Sequence, residues 1–228
     1  MSRMVDIVTR SKFSLMVSIP ANDLRFALAA EQAGADAIKT HINLYHHASG
    51  SSFGTWDEEK KSLIEIINRC TIPFGLVPGA EKAPTQKEML EIKDAGFDFW
   101  DLYFHHIPGW LFDFSGMGRM AAADPSYDDE KIKAIAPRGI QVIESSVFGK
   151  DTYGQPLTPK DIERVKSVAE AAGIPVLIST QRAIRPDQLK DLKSAGLKGI
   201  VIGAVVTGRT PEGVAEITGV FRDAIDRL

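Results

Sequence analysis

The chain has 228 residues, of which 44% are hydrophobic and 25% charged, with a formal net charge of −3 and one cysteine. That balance gives no field favouring nucleic acid or an anionic membrane, and one cysteine excludes an internal disulfide or a cysteine-based metal site. No apolar run reaches the roughly 18 residues of a membrane span, and MSRMVDIVTR lacks the apolar stretch of a signal peptide, so a cytoplasmic protein is expected.

In chain order, apolar runs without strict alternation predict strands at about 13–19, 35–42, 72–78, 97–104, 118–124, 140–147, 174–180 and 197–203. Such runs suit strands covered on both faces. Four of them follow an Ala-Gly pair: Ala33-Gly34, Ala95-Gly96, Ala172-Gly173 and Ala195-Gly196. Glycine there suits the left-handed residue that closes a helix. Asn22-Asp23, Thr158-Pro159 and Thr210-Pro211 mark helix entrances. Cys70, after a helical stretch from Ser62 to Arg69, reads as a small buried apolar residue.

Eight strand–helix units in a chain of this length predict one domain spanning 1–228, an α/β fold built as a single (β/α)₈ TIM barrel. The fifth strand, GRMAAAD, is short and alanine-rich, and without it an open doubly wound sheet is the competitor. IPGWLFDFSGM, before it, is poorly helical, so the unit between strands four and five can be only a turn. Its Trp110, Phe112 and Phe114 read as an interface between copies, a lid, or cover for the barrel wall. Homo-oligomerisation is therefore left open.

Barrel chemistry sits where strands end in βα loops. All five histidines follow two strands: His41, His46 and His47 after the second, His105 and His106 after the fourth. Lys39, Asp101, Tyr103, Asp124 and Glu144 stand at strand ends, and Lys82 lies in the third loop. Lys39 and His41 alternate, so both point the same way, and an inward pair near the mouth spares burying a lysine under helices. An inward lysine forms a Schiff base, acts as a base when neutral, or binds an anion. His46 and His47 read as solvated in NLYHHASGSSFGTWDEEKK, a loop suited to a mobile lid. One of His105 and His106 is expected to face the mouth. Glu144 serves equally as a structural ion-pair partner or an acid–base group. A divalent metal, zinc or manganese, is possible on His41, one of His105 and His106, and Asp101 or Glu144. No cofactor is required, and no glycine-rich dinucleotide fingerprint follows an early strand.

The last two units point to phosphate. Ser179, Thr180, Gln181 and Arg182 follow strand seven as donors, and Gly203, Ala204 and Thr207 lead from strand eight towards a helix entrance.

On these segments the chain resembles the ribulose-phosphate-binding barrels, most of all the bacterial N-acetylmannosamine-6-phosphate 2-epimerases. SLMVSIP resembles their first strand, with Ser18 at a matching serine, APTQKEMLEIKDAGFDF their third helix and fourth strand, and IGAVVTG their phosphate-gripping stretch. The resemblance implies phosphate binding at Gly203, Ala204 and Thr207. It does not carry epimerase chemistry: Lys39 and His41 replace an arginine and an asparagine, Val77-Pro78 and Ser179 stand near the family's proton-transferring lysine and glutamate, and Tyr103 replaces its aspartate. The expected function is an isomerase, epimerase or aldolase-type lyase working beside a carbonyl of a small phosphorylated substrate, with Lys39, His41, His105 and Glu144 as catalytic residues. A metal-dependent enzyme using the histidine-rich rim and a non-catalytic phosphometabolite-binding barrel remain the alternatives.

Overall fold

A computed structural model describes residues 2–228. Its eight parallel strands are β1 Ser14–Ser18, β2 Ala37–His41, β3 Phe74–Val77, β4 Phe99–Tyr103, β5 Gly118–Ala123, β6 Val142–Ser145, β7 Val176–Ser179 and β8 Gly199–Ile202. They pair in chain order, and β8 pairs with β1, so the sheet closes. GRMAAA is a full member, paired with β4 along five residues and with β6 along four. Closure removes the doubly wound alternative.

The helices are α1 Arg3–Arg10, α2 Leu24–Gln32, α3 Trp56–Arg69, α4 Gln86–Asp94, α5 Asp129–Lys133, α6 Pro159–Ala172, α7 Leu189–Ser194, α8 Ala204–Thr207 and α9 Pro211–Asp226. The capping chemistry acts as expected. Asp23, Thr158 and Thr210 accept from first-turn amides, and Gly34, Gly96, Gly173 and Gly196 all take positive φ. Cys70 ends α3 and is partly exposed rather than buried. Beside Glu31, burial pushes its thiol up to about 12, so it is unreactive at neutral pH.

Between β4 and β5 there is no α-helix, only 3₁₀ turns at Phe104–His106 and Gly109–Asp113. Leu111 is fully buried there, Trp110, Phe112 and Phe114 pack against the core, and the Arg138 guanidinium lies 4.2 Å from the Phe112 ring centre. The aromatic stretch thus covers the barrel wall. It does so through packing instead of helical periodicity, because glycine and proline interrupt it.

Two cores follow from the strand period. Outward residues pack under the helices, and inward ones fill the barrel with Met16, Ala37, Phe99, Met120, Val142, Leu177 and Val201. Gly75 is part of this filling: a Cβ there would lie 2.1 Å from the Phe99 ring. Below the mouth-distal end lies α1, an element the sequence pattern did not reveal. Its Met4 and Val8 join the inner core, while Asp98 at the start of β4 accepts from Ser2 Oγ and the amides of Arg3 and Met4 at 2.7–2.8 Å. The bottom is therefore plugged mainly with apolar side chains, with the Ser14 hydroxyl tied to the Lys198 carbonyl, and the charged inward residues Lys39, Asp101 and Glu144 stand towards the other end. No helix among the described residues is long and apolar enough to cross a membrane.

Candidate active site

The alternation that buries Ala37 in the barrel also turns Lys39 and His41 inward, nearer the C-terminal mouth. The same step brings Asp101 and Tyr103 of β4, Glu144 of β6 and Ser179 of β7 to that mouth. These side chains, with Ser18, Gly203 and residues of the βα loops, line a cavity of about 520 Å³, a size for a small metabolite.

Its floor is an ion cluster. Lys39 Nζ lies 2.7 Å from Asp101 Oδ2 and also donates to Glu144 Oε2, and all three side chains are buried. Burial alone would depress the lysine, but Asp101 and Glu144 outweigh it and hold Lys39 above its ordinary value. Lys39 is thus an ammonium at neutral pH, which disfavours the Schiff-base and neutral-base roles and leaves those of cation and oxyanion stabiliser. The carboxylates divide unequally. Burial pushes Glu144 up to about 8; Lys39 pulls the other way, and the neighbouring Asp101 charge adds to the rise. Asp101 stays below its usual value despite burial, because Lys39 and Glu144 stabilise its charged form. The opposite directions make Glu144 the carboxyl of the pair that takes up a proton first. Asp101 Oδ1 is buried without a partner, and so is Ser18 Oγ.

The second loop forms an antiparallel hairpin, Leu44–His46 with Ser51–Phe53, over one side of the mouth. His46 is not solvated as expected: its ring stacks on His41 at 4.2 Å, and its Nδ1 lies 2.9 Å from Ser49 Oγ. Burial, then the neighbouring histidine and Lys39, hold His41 well below the ordinary imidazole value, and burial with Lys39 and His47 lowers His46 to about 4. Both are neutral, and His41 Nδ1 is buried without a partner. His47 is exposed and stands edge-on to Tyr45.

After β4 the pair divides. His106 lines the cavity, whereas His105 points outside it, 3.2 Å from Asp124 Oδ2 and within 3.5 Å of the Tyr127 hydroxyl. The catalytic role expected of His105 therefore has no place in this geometry, because the 3₁₀ turn at Phe104–His106 rotates consecutive side chains apart. Asp124 leaves the site with it. Tyr103 and the loop residue Lys82 do line the cavity.

At the β7–β8 side, Ser179, Thr180, Gln181 and Gly203 line the cavity. Thr180 Oγ1 accepts from the Gly203 amide at 3.0 Å, which fixes the entrance to α8. Ala204 begins this single turn, whose first amides have no intrahelical acceptors. Thr207 is buried with its hydroxyl on the Gly208 carbonyl, so it does not reach the cavity. Arg182 is also turned away. Its guanidinium lies against Phe148, is 3.0 Å from Asp161 Oδ1, and donates to the Thr152 carbonyl. The sequence could not reveal Asp161, 21 residues away, as the partner that takes this arginine.

Among the lining residues that escaped the sequence reading are Ser146, Lys150 and Tyr153, all in the loop after β6. Their position in a βα loop was the available signal. Among the described residues no three His, Cys, Asp or Glu side chains converge as a metal cradle, so the expected set of His41, a later histidine and a carboxylate does not assemble. Lys39 occupies the place between Asp101 and Glu144 with its own positive charge.

No family model matches the chain, and no curated protein matches it by sequence. Its fold is shared with solved structures. Thiamine phosphate pyrophosphorylase from Pyrococcus furiosus superposes with a TM-score of 0.65 at 16% identity, over 96% of this chain and 98% of that one. A Mycobacterium tuberculosis tryptophan synthase structure gives 0.70 at 13% identity, covering 97% and 96%. A fructose-1,6-bisphosphate aldolase homologue from Coccidioides immitis gives 0.64 at 14%, covering 99% and 95%. At these identities the likeness establishes the TIM-barrel fold and does not add weight to the finer resemblance to the epimerases.

Proposed function

We propose that the chain is an enzyme that moves a proton at the carbon beside a carbonyl group of a small phosphorylated substrate, as isomerases, epimerases and carbon–carbon lyases do. The observation that carries this reading is the buried Lys39–Asp101–Glu144 cluster at the floor of an open cavity. Taking such charges out of water costs several kcal/mol per ion, and the layers below are apolar, so folding alone does not call for them. Catalysis of enolisation does: it needs a group that exchanges a proton near neutral pH and a fixed positive charge for the developing oxyanion.

In this reading Glu144 exchanges the proton, Lys39 stabilises the enolate, and neutral His41 offers its free Nδ1 as the second acid–base group. The Thr180 hydroxyl and the first amide of α8, on Ala204, hold the phosphate, while Gly203, whose amide goes to Thr180, and Ser179, whose hydroxyl goes to the Ser145 carbonyl, shape its seat. Arg182 and Thr207 are left out, being tied elsewhere. The names of two structural neighbours include phosphorylated compounds, thiamine phosphate and fructose 1,6-bisphosphate, which supports the choice of substrate class.

The test needs no knowledge of the product. Phosphorylated hydroxy-aldehydes and hydroxy-ketones are incubated with the protein in D₂O, and loss of the proton beside the carbonyl is followed by NMR. Exchange with at least one compound, abolished in a folded Lys39→Ala variant, is expected. Full exchange in that variant refutes the assignment, and no exchange across the panel refutes the reaction class.

A further inference from the structure

We propose that Tyr153 is a catalytic hydrogen-bond donor of this site, presenting its hydroxyl proton to the reacting oxygen, and that Gln181 is the positioning residue that sets the direction of that proton. The proposal rests on the proton-transfer reading above and deepens it.

The argument begins with the orientation of one amide. Buried Gln181 accepts from the Phe148 amide through Oε1 at 2.9 Å and donates through Nε2 to the Phe148 carbonyl at 3.0 Å. Flipping the side chain would set donor against donor and acceptor against acceptor, so backbone chemistry alone fixes which end is NH₂. That same Nε2 lies 3.0 Å from the Tyr153 hydroxyl oxygen. Tyr153 must therefore accept from Gln181, and its own proton must point elsewhere. No acceptor among the described residues takes it, and Tyr153 lines the cavity.

The loop that carries Tyr153 is fastened on several sides. Gly154 N donates to the Gln181 carbonyl at 2.9 Å, Ala183 N to the Gln155 carbonyl at 2.9 Å, and Arg182 to the Thr152 carbonyl at 3.2 Å. The role expected of Arg182 as a phosphate ligand is thus replaced by a structural one, holding the strand-six loop over the mouth. A donor fixed in advance stabilises developing charge without reorganising. Burial raises the phenol above its ordinary value against the pull of the Gln181 hydrogen bond, so the proton is present at working pH.

The experiment has two parts. Protein labelled with ¹³Cζ-tyrosine is titrated by NMR, comparing wild type with Gln181→Glu. The glutamate removes a donor to Tyr153 and adds a negative charge, so Tyr153 is expected to titrate at higher pH in the variant; an unchanged or lowered midpoint overturns the orientation. Calorimetry then measures inorganic phosphate and 2-phosphoglycolate, a phosphate ester whose carboxylate stands in for enolate oxygens. Tyr153→Phe, which leaves the loop anchors in place, is expected to weaken 2-phosphoglycolate about 10-fold, as for one hydrogen bond to a charged group, and phosphate less than twofold. Equal affinity of wild type and Tyr153→Phe for 2-phosphoglycolate overturns the role of Tyr153 while leaving the phosphate reading intact. Failure of the wild type to bind either anion overturns both.

Discussion

Glu144→Gln tests the division of charge at the cavity floor more sharply than any deletion, because glutamine has the shape of a protonated glutamate. Its oxygen can accept from Lys39 and its NH₂ can donate towards Asp101. In the wild type the folded protein holds the Glu144 proton up to about pH 8, against an unfolded value of 4.5. A carboxyl group raised in this way contributes stability below 4.5 and loses it as pH rises through that window, at about 1.4 kcal/mol per pH unit. Between pH 6 and pH 8 the wild type should therefore lose about 2 kcal/mol that Glu144→Gln does not lose. Lys39 is raised and Asp101 lowered, so neither titrates in this interval, and the histidines are common to both proteins and cancel in the difference. Urea unfolding at the two pH values, followed by the fluorescence of buried Trp100, gives the comparison. The variant should gain on the wild type at pH 8 and also lose proton exchange by 10²-fold or more. Parallel loss of stability in the two proteins would mean that Glu144 is ionised at neutral pH, and its acid–base role would fall.

Lys39→Met leaves two buried carboxyl groups without their cation, and breaking such a pair costs about 3–5 kcal/mol at pH 7. Part of that loss should return at pH 5 as Asp101, no longer held down by Lys39, protonates, which thermal unfolding at both values will show; a pH-independent loss argues against buried charge as its cause. His46 is lowered to about 4 from 6.5, so it contributes stability above 6.5 that is lost as pH falls towards 4. His46→Phe keeps an aromatic ring over His41 and should lose about 2 kcal/mol less than the wild type between pH 6.5 and pH 4.5, measured by urea midpoints. Gly75→Ala would place its Cβ 2.1 Å from the Phe99 ring, inside the closed barrel, and should cost about 3 kcal/mol. Gly75→Ala combined with Phe99→Leu should recover part of this, and an unaffected single variant would contradict the packing.

What the sequence disclosed depended on how local the cause was. Helix caps are decided within four residues, so Asp23, Thr158, Thr210 and the four Ala-Gly pairs could be read directly, and with them the repeat that closes into a barrel. The inward direction of Lys39 and His41 followed from strand alternation and the cost of burying a lysine elsewhere. Short α1 lay beyond this reasoning: Met4, Ile7 and Val8 do share a helical face, but the segment is only eight residues long and its position depends on Asp98 across the barrel bottom. The roles of paired polar residues were equally hidden. Arg182 looked like a phosphate ligand until Asp161 occupied it, and His105 and His106 could not be told apart without the turn that separates them. Both errors share a physical origin. A side chain's chemistry is limited by its type, but its availability depends on partners distant in sequence. Lys39 shows the consequence most clearly: read alone it could be nucleophile, base or cation, and only Asp101 and Glu144, brought across the barrel from two other strands, keep it charged.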